Sequence, residues 1–510
     1  MRSATRSDEM IENAVPNRSP ARPSGRFPEA PRTAGPEVPC APRFASRRTV
    51  RVSGDPRHVR CGGGHARDGC HPTESQDTYP RNVEHFQQNL TVRTRRVPSP
   101  EGHYDLLDLL PEGISPDSGP LCWMRHGEGV VGWGEALRIE TARSERFVAA
   151  DERWQRLAAR MEVDDEVQLP GTGPVAFASI AFGDDPGSSV LIVPEVVIGQ
   201  RGGVRWVTTI GEHDRRLSRA APARAPGTIR YSDGEFPTTR YRQAVAEAVR
   251  RMRGSPELSK VVLAHDLLAT TSEPLSSRYL LGNLGRRYPG CWTFAVDGLV
   301  GATPELLLQR NGNEVSSRVL AGTAWPHEGR TQQQLMSELL GSAKNRGEHT
   351  YAVRSLANGL EPFCKELDVP TSPEVLRLRN VMHLASDVSG RLDPMLAQNG
   401  HAGLLRLVQS VHPTAAVGGT PTTGALELID ELEEMNRERY AGPVGWVDAD
   451  GNGEFGIALR CARLTWRSGE GSRARLFAGC GVVPDSDPDT EVTEAEAKLL
   501  PVREALEGVR

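Results

Sequence analysis

The sequence predicts an α+β protein in which large antiparallel sheets carry helices on their outer faces. Two observations lead there: short β-rich runs divided by Gly, Asp and Pro fill the first half of the globular region, and strand-like and helical segments alternate in the second. Residues 129–141 (GVVGWGEALRIET) read as a strand, a turn and another strand. Residues 145–161 carry apolar positions at helical spacing, and strands follow at 177–182, 189–199 and 205–211. The polar, Arg/Pro-rich stretch 212–236 reads as an exposed loop. An amphipathic helix over 238–253 comes next, opened by Thr238 or Thr239 as a cap. Strands at 260–270, 291–296, 442–451, 455–466 and 475–483 then stand between helices covering roughly 275–288, 331–361, 400–410, 421–436 and 490–507. Residues 85–510 thus form one large domain.

Residues 1–84 differ from the rest. They are rich in Arg, Pro, Gly and Ser, with 14 arginines against 10 acidic residues, and their composition is that of a disordered tail. Arginine-rich segments can fold on RNA, but this one has no aromatic interleaving and no dense basic run, so no nucleic-acid partner is expected. The whole chain of 510 residues has a net charge of −5 and a pI of about 6.3, which gives no general attraction to nucleic acid or an anionic membrane. No run approaches the ~18 apolar residues of a membrane span. The N-terminus shows no apolar core of a secretory signal, so a cytoplasmic protein is expected. Its eight cysteines, irregularly spaced and without a CxxC pair, read as thiols and not as a disulfide framework or a zinc site.

Of 61 basic residues only four are lysine: Lys260, Lys344, Lys365 and Lys498. Arginine stays charged in proteins, whereas lysine can lose its proton and act as a base. The surviving lysines are therefore candidates for work that arginine cannot do. Lys260 heads the apolar strand KVVLAHDLLAT, where partial burial lowers the pKa of an amine toward that of a general base. A lysine snorkelling from a strand end is the plain alternative. Glu305, in GATPELLLQR, is delivered by a turn immediately before an apolar strand, a setting that raises a carboxyl toward the range of a general acid. A glutamate capping the turn is the alternative there.

Two acidic helices stand out. Residues 342–356 put Lys344, Glu348 and Ala352 on one face, with His349 beside the glutamate, and residues 490–500 put Glu491, Glu494 and Lys498 on one face. A carboxylate from each could hold Mg²⁺ and leave sites for water and an anion, against the alternative of ordinary solvated ion pairs. Arg460 falls inside the predicted strand 455–466, a costly place for a charge that has no partner. Gly-rich segments at 321–323, 416–421 and 478–481 allow close backbone approach to a ligand. None is a Walker loop or a dinucleotide fingerprint, so ATP and NAD are not suggested.

Taken in order, KVVLAH, GATPELL, LAGT, SAKNRGEH, MHLASDVSG, HPTAAVGGTP, YAGPVGWVDADGNGEFGIALRCARL and LFAGCGVVPDSDPDTEVTEAEAK resemble the chorismate-utilising enzymes, densely from about 255 onward and more loosely over 90–250. The resemblance implies a single large fold of two antiparallel sheets packed together, Mg²⁺ as cofactor, and chorismate as substrate of a monomeric enzyme. Within the family, Lys260 implies water and not ammonia as nucleophile. HPTAAVGGTP with Ala416 resembles the isochorismate-forming members, and Ala321 stands where the aminodeoxychorismate enzymes carry a nucleophilic lysine. By resemblance, Lys260 is the base and Glu305 the acid. Glu348 and Glu494 hold the metal, with Glu491 and His383 behind them. Arg460, Gly479 and Lys498 bind the enolpyruvyl carboxylate, and Gly322, Thr323 and Ala416 line the ring site. The chain departs from the family pattern at Ala415, Val417, Asn345 and Gly347, and at Cys480, expected in the substrate wall.

Overall fold

A computed structural model describes residues 90–508 except 99–104, 113–118, 185–186, 212–216, 256, 326–328, 380, 399–401 and 467–470. The expected tail, 1–84, lies outside the described residues. The strands form two sheets, one of 13 strands and one of 10. Among the described residues the pairings are antiparallel except one: Thr91–Arg96 runs parallel to Glu162–Asp165. N- and C-terminal halves of the chain meet in both sheets, through Trp292–Val296 on Leu121–Arg125 in the larger and Pro443–Asp448 on Val175–Ser179 in the smaller.

Several strands are buried along their whole length, among them Val175–Ser179, Ser189–Val193, Leu299–Thr303 and Pro443–Asp448. Both faces of these strands are covered, Leu299–Thr303 by helix Ser277–Arg287 on one of them, so the sequence shows continuous apolar runs in place of alternation. Each fully buried Leu, Val or Phe there contributes roughly 1.5–3 kcal/mol relative to exposure. Helices Thr238–Gly254 and Pro488–Glu507 cover the larger sheet at strands Lys260–Thr271 and Arg473–Val482, while Ala343–Leu360 lies on strands Glu314–Ala324 and Met382–Leu392 of the smaller one.

The structure corrects five expectations. The run 189–199 is two strands, Ser189–Val193 and Val196–Arg201, which belong to different sheets; Pro194, without an N–H, marks the break. The predicted loop 212–236 contains strand Ile229–Asp233, an edge strand whose exposed pattern hid it. The helix over 331–361 is two helices, Gln332–Gly341 and Ala343–Leu360, divided at Ser342, whose hydroxyl accepts from the Asn345 N–H as a cap. Helix Thr238–Gly254 starts after Pro237 with no side-chain cap from Thr238 or Thr239.

The fifth correction bears on the site. Residues 455–466 are not one strand: Gly453–Ile457 lies in the smaller sheet and Cys461–Thr465 in the larger, and the chain crosses between them at 458–460. Arg460 therefore sits at a corner, with φ of +49°, and not inside a strand. A second crossing runs beside it, from Leu299–Thr303 to Leu306–Asn311 through Pro304 and Glu305. The two corners are tied by Ala302 N–H to Arg460 O at 3.2 Å and Ile457 N–H to Glu305 O at 3.3 Å. The fold thus places the Glu305 carboxyl and the Arg460 guanidinium at adjoining corners where neither sheet's alternation applies.

Candidate active site

These corners open on a small cavity of about 70 Å³, partly open to solvent. Glu305, Gly322, Thr323, Glu348, His383, Ala416, Arg460, Gly479, Glu494 and Lys498 all line it. Ten of the twelve residues singled out in the sequence are thus on one wall; Lys260 and Glu491 stand behind it.

Lys260 is fully buried, and its Nζ lies 2.9 Å from Oε1 of Glu348. It reaches the cavity's edge beneath Gly481, which faces Val262 across the strand pair. A β-carbon at 481 would stand 2.6 Å from Glu348 Oε1, 2.8 Å from Lys260 Cε and 3.3 Å from Lys260 Nζ. The space of the absent side chain is the space of the ion pair. Gly481→Ala is therefore expected to push the pair apart and to cut turnover at least tenfold with the fold retained, since its backbone is not in the left-handed region. An activity assay beside a melting curve checks this; full activity would mean that the pair has room to move.

Glu305 is 5% exposed, and burial pushes its carboxyl up to about 8, against the lowering effects of a backbone hydrogen bond and of Lys260 and Arg460. It is protonated at neutral pH, the state a general acid requires. Gly322 sits in a bulge with φ of +77°, where a β-carbon would come within 3.0 Å of Asn345 Cβ; only glycine brings strand Glu314–Ala324 this close to the helix. Thr323 Oγ1 is 3.3 Å from His383 Nδ1. His383, expected behind the metal ligands, is itself on the wall, and burial followed by Arg460 and Lys498 pushes it down to about 3, so it stays neutral.

Three of the four lysines meet acidic groups of the two helices. Lys260 pairs with Glu348, Lys498 with Glu494 at 2.7 Å, and Lys344 with Glu491 at 3.2 Å. Burial raises Glu494, but Lys498 outweighs it by charge and hydrogen bond and holds the carboxyl below its usual range. Glu491 is 2% exposed and is raised by burial and then by the charge of Glu494. Lys498 also donates to the Gly479 carbonyl at 2.9 Å. Lys365 is exposed on strand Cys364–Asp368 and takes no part.

Cys480 is not in the substrate wall. Successive side chains of a strand face opposite ways, so Gly479 and Gly481 face the cavity and the Cys480 thiol points behind it, donating to Glu491 O at 3.3 Å. Ala415 is fully buried and Val417 lines the cavity. Sequence reasoning missed Arg437 and Tyr440, both on the wall. Arg437 pairs with buried Glu433 and donates to Val262 O at 2.6 Å and Val417 O at 3.0 Å, bracing the Ala416 loop against the Lys260 strand. The signal was present: Glu433 and Arg437 are spaced i,i+4 just before YAGPVGW.

Two facing sheets with their acid, carboxylates and cations around a single cleft define the chorismate binding enzymes. The chain belongs to that family, whose model matches residues 85–507. It is 30% identical over 416 residues to the isochorismate synthase MenF of Bacillus subtilis, covering 75% of this chain and 86% of the relative. To the salicylate biosynthesis isochorismate synthase of Pseudomonas aeruginosa it is 33% identical over 423 residues, covering 76% and 85%. Among solved structures, DhbC from Bacillus anthracis matches with a TM-score of 0.63 at 27% identity, covering 78% of this chain and 98% of that one. No described helix is long and apolar enough to cross a membrane.

Proposed function

We propose that this chain is an isochorismate synthase, an isomerase that converts chorismate to isochorismate for menaquinone synthesis or for salicylate- or dihydroxybenzoate-based siderophores. The observation that carries the reading is Glu305, a carboxyl kept protonated at neutral pH on the wall of a cavity whose edge is backed by a buried lysine. Residues 85–510 act as the catalytic domain, in a cytoplasmic monomer with chorismate as its small-molecule partner.

In this reading the Lys260 ammonium first gives up to solvent the proton it holds against Glu348, and the resulting amine takes a proton from a water as the water oxygen bonds to C2 of the ring. The double bond moves, the C4–O bond breaks, and Glu305 gives its proton to the departing hydroxyl, which leaves as water. One water enters and one leaves, so substrate and product are isomers. Lys260 ends protonated and Glu305 ionised, and exchange with solvent resets both. Arg460 and Lys498, with the Gly479 backbone, meet the enolpyruvyl carboxylate. Gly322, Thr323 and Ala416 lie against the ring.

Glu348 and Glu494 fit Mg²⁺ by their chemistry. Both offer hard carboxylate oxygens to the cavity, and each already draws an ammonium to within 3 Å, at 2.9 and 2.7 Å. Among the described residues, Cys480, Glu491 and Glu494 also bring donor atoms within 4.8 Å of one another, with Glu491 behind the wall. When bound, the ion supplies orientation and charge neutralisation at the ring carboxylate. Glu494→Ala is expected to weaken Mg²⁺ binding and chorismate binding together; an unchanged Mg²⁺ response would sink the assignment.

Incubation of the purified chain with chorismate, with and without Mg²⁺, followed by chromatography of the products, tests the reading. Mg²⁺-dependent isochorismate without pyruvate supports it. Salicylate with pyruvate would make the chain a salicylate synthase, and no turnover would point to a binding role.

A further inference from the structure

We propose that Lys344 is a positioning residue for the divalent cation, a latch that ties the two carboxylate-bearing helices together one turn before each delivers its ligand. The inference rests on the reading that Glu348 and Glu494 share one cation. Those glutamates belong to helices seated on different sheets: Ala343–Leu360 on strands of the smaller, Pro488–Glu507 on a strand of the larger. Lys260 of the larger sheet reaches Glu348, and the Lys344–Glu491 pair is a second link, made directly between the two helices.

Lys344 is four residues before Glu348, and Glu491 is three before Glu494, so each pair shares a helical face. The Lys344 ammonium stands 3.2 Å from Glu491 Oε1 and joins the helices on those faces. Glu491 is a firm anchor, 2% exposed, with Oε1 also accepting from Ser486 Oγ at 2.7 Å. Lys344 is poorly placed for its own helix: it is the second residue, at the positive end of the helix dipole, where a cation costs about 0.3–1 kcal/mol. The pairing across to the neighbouring helix accounts for a lysine at that position.

The charge of Lys344 and its geometry pull in opposite directions. A positive charge near a cation site repels the cation, so removing it would strengthen Mg²⁺ binding if charge were all it supplied. If it fixes the spacing of the ligands, removing it weakens binding, as loss of an outer partner of a metal ligand does by roughly 10–100-fold.

The test uses the full chain without substrate, reading the Mg²⁺ concentration at half the cation-induced rise in Tm. Lys344→Met is expected to raise that concentration about tenfold or more, and Lys344→Arg to recover most of the loss. A lower Tm with unchanged half-saturation would make Lys344 merely structural and overturn the latch, and tighter Mg²⁺ binding would overturn it too. Since Lys344→Met leaves Glu491 buried without a counter-ion, the neutral pair Lys344→Met/Glu491→Gln is the companion variant. It is expected to fold and to show the same weakening; native half-saturation in it would also overturn the proposal. If the parent chain shows no Mg²⁺-dependent rise in Tm, the cation reading itself fails, and the latch with it.

Discussion

Turnover of chorismate by Glu305→Gln is expected to fall by roughly 10²–10⁴-fold at pH 7, the range for loss of a general acid, with chorismate binding retained. Glutamine keeps the shape and the neutrality of the protonated carboxyl but has no proton to give. The same residue predicts the alkaline side of the pH profile. Because burial holds its carboxyl at about 8, the parent enzyme loses its acid as pH rises through that value, and the rate falls with it. Stability follows the same sign: the folded pKa lies above the unfolded one, so the folded state binds the proton more tightly. Its contribution is complete below about pH 4.5 and is lost as pH rises through 8, on the order of 3–5 kcal/mol. Glu305→Gln is thus expected to melt at a higher temperature than the parent at pH 9 and to match it near pH 5. Rate and Tm as functions of pH check both, and a variant that no longer binds chorismate would make Glu305 structural.

Lys260→Ala is expected to abolish measurable turnover, again by about 10²–10⁴-fold, while leaving chorismate binding by equilibrium dialysis close to that of the parent. The lysine stands behind the wall and does not line it, so its loss removes a proton acceptor and no direct substrate contact in this structure. Removing one partner of a buried ion pair also costs stability, roughly 3–5 kcal/mol when both charges are dry and less here because Glu348 keeps 18% of its side chain exposed. Lys260→Met, closer in volume, separates that cost from the chemistry: it should recover stability but not turnover. Lys260→Arg should recover neither the base nor the rate, because a guanidinium does not give up its proton. Loss of binding in the folded Met variant would show that Lys260 organises the pocket and is not the base.

Much of this was legible in the residues. The scarcity of lysine pointed to Lys260, Lys344, Lys365 and Lys498, and the structure sets all but Lys365 on carboxylates at or behind the cavity wall. Helical spacing grouped Glu491, Glu494 and Lys498 on one face, because side chains three and four apart on a helix are neighbours whatever surrounds it. The Gly/Pro-bounded Glu305 was visible as a turn before an apolar strand for the same local reason. Arg437 and Tyr440 were not found, although Tyr440 opens a quoted motif and Arg437 stands just before it. The i,i+4 spacing of Glu433 and Arg437 was there to read, but the contacts that bring Arg437 into the site, with the carbonyls of Val262 and Val417, are distant in sequence and leave no local pattern.

The periodicities of the chain marked many of the strands and helices and which polar residues share a face, since φ/ψ preference and side-chain spacing act over a few residues, but they did not mark strands Glu314–Ala324 and Met382–Leu392, which carry Gly322, Thr323 and His383. They could not tell which sheet a strand joins, and so the runs 189–199 and 455–466 read as single strands when each divides between two sheets. Only the tertiary structure placed Glu305 and Arg460 at adjoining crossings, turned Cys480 away from the cavity and brought the helix of Glu348 to the helix of Glu494. Those placements come from pairings hundreds of residues apart, Leu121–Arg125 with Trp292–Val296 and Val175–Ser179 with Pro443–Asp448, whose register is decided by burial across whole sheets and not by any neighbour in the chain.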